Sequence, residues 1–324
     1  MWIYIVCLGK QESHMKKILT IVGPTASGKT SFAIELAKKI NGEIISLDSR
    51  QIYQHMTIGT AQPNKKEMDG VKHHLIGCLH PSKNISSGKY SRMVKKKVSQ
   101  VENANKTPII CGGSGLYYRA IKKGIFPEST TNLEIRKKIE SQYLDNPQKL
   151  YEKLQSVDSK YSKIVHINNR QRLVRALEIY ELTGDTPSEH FRKQKYLNSD
   201  NLNLFTVFLK WNREMINTRI EKRTNFMFEL GWIEEAKNLL ILQKEKGLKF
   251  SPINSIGYEH IQAYLNQKIT KDEMIDKIVV GTRQLARSQE KWFKKESIDL
   301  YIEMDMITIA ESSKILYCIL KSLV

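Results

Sequence analysis

The sequence predicts an α/β protein: a parallel sheet of the P-loop nucleoside-triphosphate-hydrolase type, with an inserted all-helical domain and a helical C-terminal part. Three observations lead there. "IVGPTASGKTSFAIELAKKI" fits G-x-x-x-x-G-K-[ST] at Gly23, Gly28, Lys29 and Thr30, between an apolar and an amphipathic run. Strand and helix signals alternate through the first third of the chain, as a parallel sheet requires. From about Phe126 the strand signals stop and helical periodicity takes over.

"KILTIVG" is a buried strand, and "SFAIELAKKI" is a helix with Phe32, Leu36 and Ile40 along one face. "GEIISLD" is a second strand ending at Asp48, followed by a loop through "GTAQPN". "TPIICGG" is a third, closed by glycines. "NLEIRKKIESQYL", "PQKLYEKLQSV" and "RQRLVRALEIYELTG" read as helices, the last with Leu173, Leu177 and Tyr180 at helical spacing and Gly184 as its stop. "LNLFTVFLKW" returns as a strand, and the remainder is helical, including "KDEMIDKIVVGTRQLARSQEKWFKK". The expected organisation is therefore a catalytic core of 15–125 and 201–324, a helical insertion of 126–200, and a dispensable extension of 1–14. Met15, directly before the first strand, is the natural start. The tail, with Ile309, Ile315, Leu316 and Leu320 loosely periodic, reads as packing.

Hydrophobic residues make up 40% of the 324, enough for a core, which excludes wholesale disorder. No apolar run reaches the roughly 18 residues of a membrane span. Cys7, Cys78, Cys111 and Cys318 form no C-x-x-C pair, so neither a thiolate zinc cluster nor a disulfide framework is expected, and a reducing cytoplasm is. The net charge of +18 is uneven: residues 1–125 hold 20 Lys and Arg against 7 Asp and Glu. Such a surplus attracts polyanions, although a lysine-rich proteome would also produce it.

Gly23, Pro24, Thr25, Ala26, Ser27, Gly28, Lys29 and Thr30 form a phosphate cradle. Lys29 reaches between phosphates and Thr30 holds Mg²⁺. A kinase, an NTPase and a pyrophosphate-releasing transferase would all use this loop. The "TPIICGG" strand lacks the terminal Asp by which hydrolases hold a second metal contact. The prominent acid is Asp48, at a strand end facing the ligand crevice, where a carboxylate can take a proton from a nucleophile; a helix cap or salt bridge is the alternative. The glycines of "CGGSGLYY" suit close approach by a ligand, and Tyr117 and Tyr118 are either core or a stacking platform. The neighbouring His73, His74 and His80 have no partner carboxylate at metal-binding spacing. Arg283, Arg287, Lys291 and Lys295 recur every four residues, a basic ridge matched to a phosphate backbone, with Glu290 off the stripe.

With these residues assembled, the chain resembles the tRNA dimethylallyltransferases (tRNA isopentenyltransferases). The matching stretches, in the family's order from Gly23 to Trp292, are "GPTASGKT", "DSRQIY", "IGTAQP", "HHLIG", "GGSGLY", "HINNRQRLVRALEIYELTG", "IGY" and "TRQLARSQEKW". The resemblance implies transfer of a dimethylallyl group from dimethylallyl diphosphate to N6 of the adenosine 3′ of the anticodon in tRNA (position 37), with diphosphate leaving. It assigns Asp48 to the N6 proton and Thr25 to the bridging oxygen. Lys29, Mg²⁺ and Arg223 fall to the departing diphosphate, with Arg219 the rival of Arg223. The target base must be flipped out of its stack to reach the donor. Contacts to the tRNA anticodon stem-loop fall on Asp48, Ser49, Arg50, Gln51 and Ser114, then Gln171, Arg172, Leu173, Val174 and Arg175, then Asn254 to Glu259, and on Arg283, Arg287, Lys291 and Lys294. The chain departs from the family's usual pattern at Gln62, Gly77, Ser114, Ser288 and Lys291. No membrane and no obligate protein partner are implied, and a monomer is expected. The weighed alternatives are an adenylate isopentenyltransferase or small-molecule P-loop kinase, and a catalytically inactive RNA-binding relative.

Overall fold

The computed structural model describes residues 17–124, 132–196 and 201–322. The expected extension 1–14 and the expected start of the insertion at Phe126 lie outside the described residues. The chain divides into two compact units, Met1–Lys122 with Leu202–Val324, and Lys123–Asn201.

In the first unit, β1 (Ile18–Val22) leads through the phosphate loop into α1 (Lys29–Lys39). Then come β2 (Gly42–Ser46), α2 (Lys65–Met68), β3 (His73–His74), α3 (Ser87–Asn103), β4 (Thr107–Gly112) and α4 (Gly115–Lys123). The second unit holds α5 (Leu133–Asp145), α6 (Pro147–Val157), α7 (Ser159–Ser162), α8 (Arg170–Thr183) and α9 (Pro187–Tyr196). The chain returns as β5 (Leu204–Lys210), α10 (Arg213–Glu229), α11 (Trp232–Glu245), α12 (Tyr258–Leu265), α13 (Lys271–Phe293), β6 (Leu300–Glu303) and α14 (Ile309–Ser322).

The six strands form one sheet in the order β3-β2-β4-β1-β5-β6. Every pair is parallel, with Leu19 of β1 level with Ile109 of β4 and Phe205 of β5. All five residues of β1 are buried, as a strand covered on both faces must be. Alternation sends Leu19 and Ile21 to one face, against Phe32, Leu36 and Leu316 of α1 and α14. Ile18 and Val22 go to the other face, against Tyr90, Val94, Tyr118 and Phe293 of α3, α4 and α13. Each fully buried Leu or Phe contributes about 1.5–3 kcal/mol. The packing expected of the tail is thus specific: Leu316 is fully buried, and Ile309 and Leu320 support it.

Among the elements not expected from the sequence are β6 and α3. β6 adds a strand to the part read as wholly helical; it is only four residues, "LYIE", with two of them buried. α3 is 17 residues long, with Tyr90, Val94, Val98 and Val101 on its buried face and Ser86 capping Lys89 N–H. Its period and cap are plain in the sequence and were readable there.

The second unit has its own core of Ile139, Leu150, Leu154, Val165, Leu173 and Leu177. Asp158 ties two of its helix starts together. Its Oδ1 accepts Tyr161 N–H (2.9 Å) and its Oδ2 accepts Ser188 N–H (2.7 Å).

Candidate active site

The C-terminal ends of β1, β2 and β4 deliver the phosphate loop, Asp48 and the Gly113–Ser114 turn to one edge of the sheet. Gly28 closes the loop at φ 81°, a backbone that favours glycine, and caps α1 without any side chain bonding the first-turn amides. Those amides and the partial positive charge of the helix start suit an anion. Lys29 Nζ donates to the Pro24 carbonyl (2.5 Å) and reaches Ser27 Oγ (3.4 Å). Desolvation brings the Lys29 ammonium down to about 8; Cys111 and Asp48 oppose the shift and Arg223 adds to it.

Two arginines one helical turn apart on α10 divide the work beside the loop. Arg219 Nε donates to the Ala26 carbonyl (2.8 Å), and its guanidinium lies over the Trp211 ring at 4.4 Å. Trp211 in turn donates its indole N–H to the Ser27 carbonyl (2.9 Å). Arg219 is therefore committed to the loop backbone. Arg223 Nη1 instead donates to the Thr25 hydroxyl (3.2 Å). Burial lowers the pKa of Arg223, and the neighbouring Asp48 carboxylate works against that shift.

Asp48 Oδ1 accepts the backbone N–H of Arg50 (2.7 Å) and of Gln51 (3.2 Å). The capping alternative is thus real for one oxygen. Among the described residues no hydrogen bond takes Oδ2. The Gln51 side chain, expected at the RNA, is spent inside the chain, donating to the Thr60 (3.2 Å) and Ala61 (3.0 Å) carbonyls. Gln62, where the family commonly has a cation, donates to the Gln51 (2.9 Å) and Tyr53 (2.7 Å) carbonyls, bonds a neutral carboxamide makes well.

Two cavities meet at these residues. One, of about 660 Å³, is lined by Ser49, Arg50, Ser114, Met227, Trp232, Tyr258 and Trp292. The other, of about 560 Å³, is lined by Gly28, Lys29, Thr30, Glu67, Arg219 and Lys222. Thr25, Asp48, Gly113, Arg223 and Gln289 border both. The first is aromatic and apolar along its buried wall; the second is rich in cations. Glu235, which the sequence reading missed, holds the wall of the first. Its carboxylate accepts Ile58 N–H (2.7 Å), Gly59 N–H (2.9 Å) and the Tyr258 hydroxyl (2.7 Å). Burial and this carboxylate push the Tyr258 phenol well up.

The glycines of "GGSG" line the two cavities and also serve the chain's own packing. A Cβ on Gly112 would lie 2.2 Å from the Leu47 carbonyl oxygen, on Gly113 2.4 Å from Gln289 Nε2, and on Gly115 2.4 Å from the Trp292 ring. Tyr117 and Tyr118 are core: the first stacks on Tyr90 at 4.2 Å, and the second shares a hydrogen bond of 2.9 Å with Thr206. The histidines serve separate partners, His74 Nε2 meeting Glu43 (2.6 Å), His73 the Val71 carbonyl (2.9 Å) and His80 Ser82 (2.8 Å).

Among the candidate RNA contacts, Arg287 and Lys291 are exposed on α13. Arg283 is paired with Glu221 of α10, so an acid that the α13 stripe lacks reaches it from the neighbouring helix; Lys294, off the stripe, is paired with Glu290 (2.9 Å). In the second unit Gln171 and Arg172 are exposed. Leu173 and Val174 are buried in the core there, which corrects the expectation that their side chains meet RNA. Arg175 Nη1 lies 2.8 Å from the fully buried Glu178.

Among the described residues there is no group of three or more His, Cys, Asp and Glu side chains arranged for a metal. Thr30, in the first turn of α1, lines the phosphate cavity with Asp48 and Glu67. One hydroxyl beside diphosphate oxygens and water suits Mg²⁺, which keeps part of its hydration. Among the described residues no helix is long and apolar enough to cross a membrane.

Residues 51–296 match the model of the family described as IPP transferase. The tRNA dimethylallyltransferase of Petrotoga mobilis is 38% identical over 281 residues, covering 87% of this chain and 91% of that protein. That of Staphylococcus aureus is 36% identical over 307 residues, covering 90% and 96%. Among solved structures, the tRNA isopentenylpyrophosphate transferase of Bacillus halodurans is similar at a TM-score of 0.69 and 31% identity, over 95% of this chain and 96% of that one. A eukaryotic dimethylallyltransferase acting on tRNA gives a TM-score of 0.78 at 26% identity, over 93% and 78%. The chain belongs to the IPP transferase family.

Proposed function

We propose that the chain transfers the dimethylallyl group of dimethylallyl diphosphate to N6 of the adenosine 3′ of the anticodon in tRNA, releasing diphosphate. The observation that carries this reading is the meeting of a cation-lined cavity and an aromatic-lined cavity at Thr25, Asp48 and Arg223. A prenyl diphosphate laid across that junction has its diphosphate at the loop and its reacting carbon beside the carboxylate.

In the transfer, the C1–O bond of the donor breaks as the N6–C1 bond forms, and the electron pair leaves with the diphosphate. The Thr25 hydroxyl, held by Arg223, hydrogen-bonds the bridging oxygen where charge develops. Lys29 and Arg223 neutralise the departing diphosphate. Asp48 Oδ2 takes the N6 proton, while Oδ1 stays fixed by the Arg50 and Gln51 amides. Mg²⁺, held by Thr30 and diphosphate oxygens, would supply further charge neutralisation. An exocyclic amine is a weak nucleophile, so alignment of the two substrates contributes much of the rate. The acceptor meets the exposed lining of the larger cavity, where Leu116 is 60% exposed, whereas Trp232 and Tyr258 in its lining are buried. Arg287, Lys291, Gln171 and Arg172 are the exposed side chains we assign to the RNA. The chain acts as a monomer in the cytoplasm, where its tRNA substrate resides.

The test is label transfer from ¹⁴C-dimethylallyl diphosphate with Mg²⁺, offering an anticodon stem-loop RNA and AMP in parallel. Label in the stem-loop alone, lost when its target adenosine is replaced by guanosine, is expected. Label in AMP would make the chain an adenylate prenyltransferase, and label in neither would leave only RNA binding.

A further inference from the structure

Gln289 is the point at which three parts of the active site are joined. It lies near the C-terminal end of α13, a 23-residue helix whose start is fixed by a Thr270–Glu273 capping box. Its Oε1 accepts the backbone N–H of Thr25 (2.7 Å), and its Nε2 donates to the Gly113 carbonyl (3.0 Å). Both ends of the carboxamide are used, each with the polarity its partner needs, so the two bonds fix which way the amide faces. Gly113 is tailored to the contact, since a Cβ there would lie 2.4 Å from Gln289 Nε2.

The consequence falls on Thr25. Its N–H is turned to Gln289 and its hydroxyl to Arg223 Nη1 (3.2 Å), so its backbone donor and its side chain are both held by side chains from outside the loop. Within the loop this peptide is held at its carbonyl end, where Pro24 O accepts Ser27 N–H (3.3 Å) and Lys29 Nζ (2.5 Å); Gln289 holds its N–H end. Gln289 also borders both cavities. A carboxamide is neutral, so it can stand beside a diphosphate without repelling it, which a glutamate could not do.

Resting on the transfer reading above, we infer that Gln289 is a positioning residue for the leaving group. It sets the Thr25 peptide so that the hydroxyl meets the bridging oxygen as the C1–O bond breaks. Its effect is on the chemical step and passes through Thr25. Gly113, at the end of β4, is the fixed post against which the carboxamide is braced.

The experiment measures kcat and the KM for dimethylallyl diphosphate, at saturating stem-loop RNA, for wild type, Gln289→Ala, Thr25→Ala and the double variant. Gln289→Ala is expected to lower kcat about 10- to 100-fold, as sub-ångström misplacement does, with the KM held within about threefold. In the Thr25→Ala background the same change is expected to cost less than about twofold, because the group it positions is gone. Gln289→Met is uncharged and of similar length, and replaces the alanine form should that fail to fold. It loses both hydrogen bonds and is expected to lower kcat at least about fivefold, with the same dependence on Thr25. A kcat within about twofold of wild type, or a loss of equal size with and without the Thr25 hydroxyl, would overturn the assignment. A wild type that transfers nothing would instead remove the functional reading on which it rests.

Discussion

Arg223 Nη1 meets the Thr25 hydroxyl at 3.2 Å, while Arg219, one helical turn earlier, spends its Nε on the Ala26 carbonyl at 2.8 Å. The two arginines are thereby separated in role: one faces the reacting bond and the other holds the loop. Arg223→Ala is expected to lower kcat/KM about 100- to 1,000-fold, the cost of losing one preorganised donor at a developing charge. Arg219→Ala is expected to act mainly through a weaker loop, raising the KM for dimethylallyl diphosphate and lowering Tm. Steady-state kinetics and a thermal melt on both variants separate the two roles. Equal effects on kcat would contradict it.

Lys29 predicts a conflict between function and stability. Its ammonium is buried and its pKa is brought down to about 8, below the ordinary lysine value of 10.5. Between those two values the unfolded chain binds more protons than the folded one, so this group's contribution to stability rises with pH through that window. Below pH 8 both states are charged, and the folded state bears the cost of the buried charge. Lys29→Met is therefore expected to stabilise the substrate-free protein at pH 7 by about 3 kcal/mol, less what the lost Pro24 bond contributes. The stability difference between the two proteins should shrink as pH rises from 8 towards 10.5. Denaturant melts at several pH values test this, and pyrophosphate binding, lost in the variant, shows what the charge is kept for.

The second unit predicts a division within one helical turn. Leu173 is fully buried, so Leu173→Ala is expected to destabilise that unit by about 2–5 kcal/mol. Arg172 is exposed, so Arg172→Ala is expected to leave Tm unchanged while weakening stem-loop binding and lowering the salt slope of that binding by about one. Salt titrations of stem-loop affinity, with thermal melts beside them, distinguish the two effects.

Gly115 predicts that a glycine beside the site is structural. A Cβ there would sit 2.4 Å from the Trp292 ring, and Arg119 lies over that ring at 4.4 Å. Gly115→Ala must push Trp292 into the larger cavity, so a lower Tm and a higher KM for the stem-loop are expected together. A variant with unchanged Tm and KM would show that the helix gives way freely.

The phosphate loop was legible because its meaning is local: glycines, lysine and threonine at fixed spacing act within eight residues. Asp48 was legible for the same reason, as the carboxylate two residues past an apolar strand. Gln289 was not. Its partner Thr25 lies 264 positions away, and nothing in "ARSQEKW" separates it from its polar neighbours. The pairing of Arg283 with Glu221 was hidden in the same way, because one helix's pattern cannot show the charge on the helix beside it. The "GGSG" glycines were seen as room for a ligand, but that Leu47, Gln289 and Trp292 pack against them could not be read, since those partners lie far along the chain. β6 carries too little pattern in four residues to be told from a loop.

The measurement that tests the account most directly is the single-turnover rate of Asp48→Asn with stem-loop RNA and labelled dimethylallyl diphosphate both bound. An asparagine keeps the acceptor for the Arg50 and Gln51 amides but cannot take the N6 proton. The account predicts a rate lower by about 100- to 10,000-fold, with the affinity for either substrate little changed. A rate within about threefold of wild type would contradict it, for Asp48 would then be a turn residue and the proton would leave by another route.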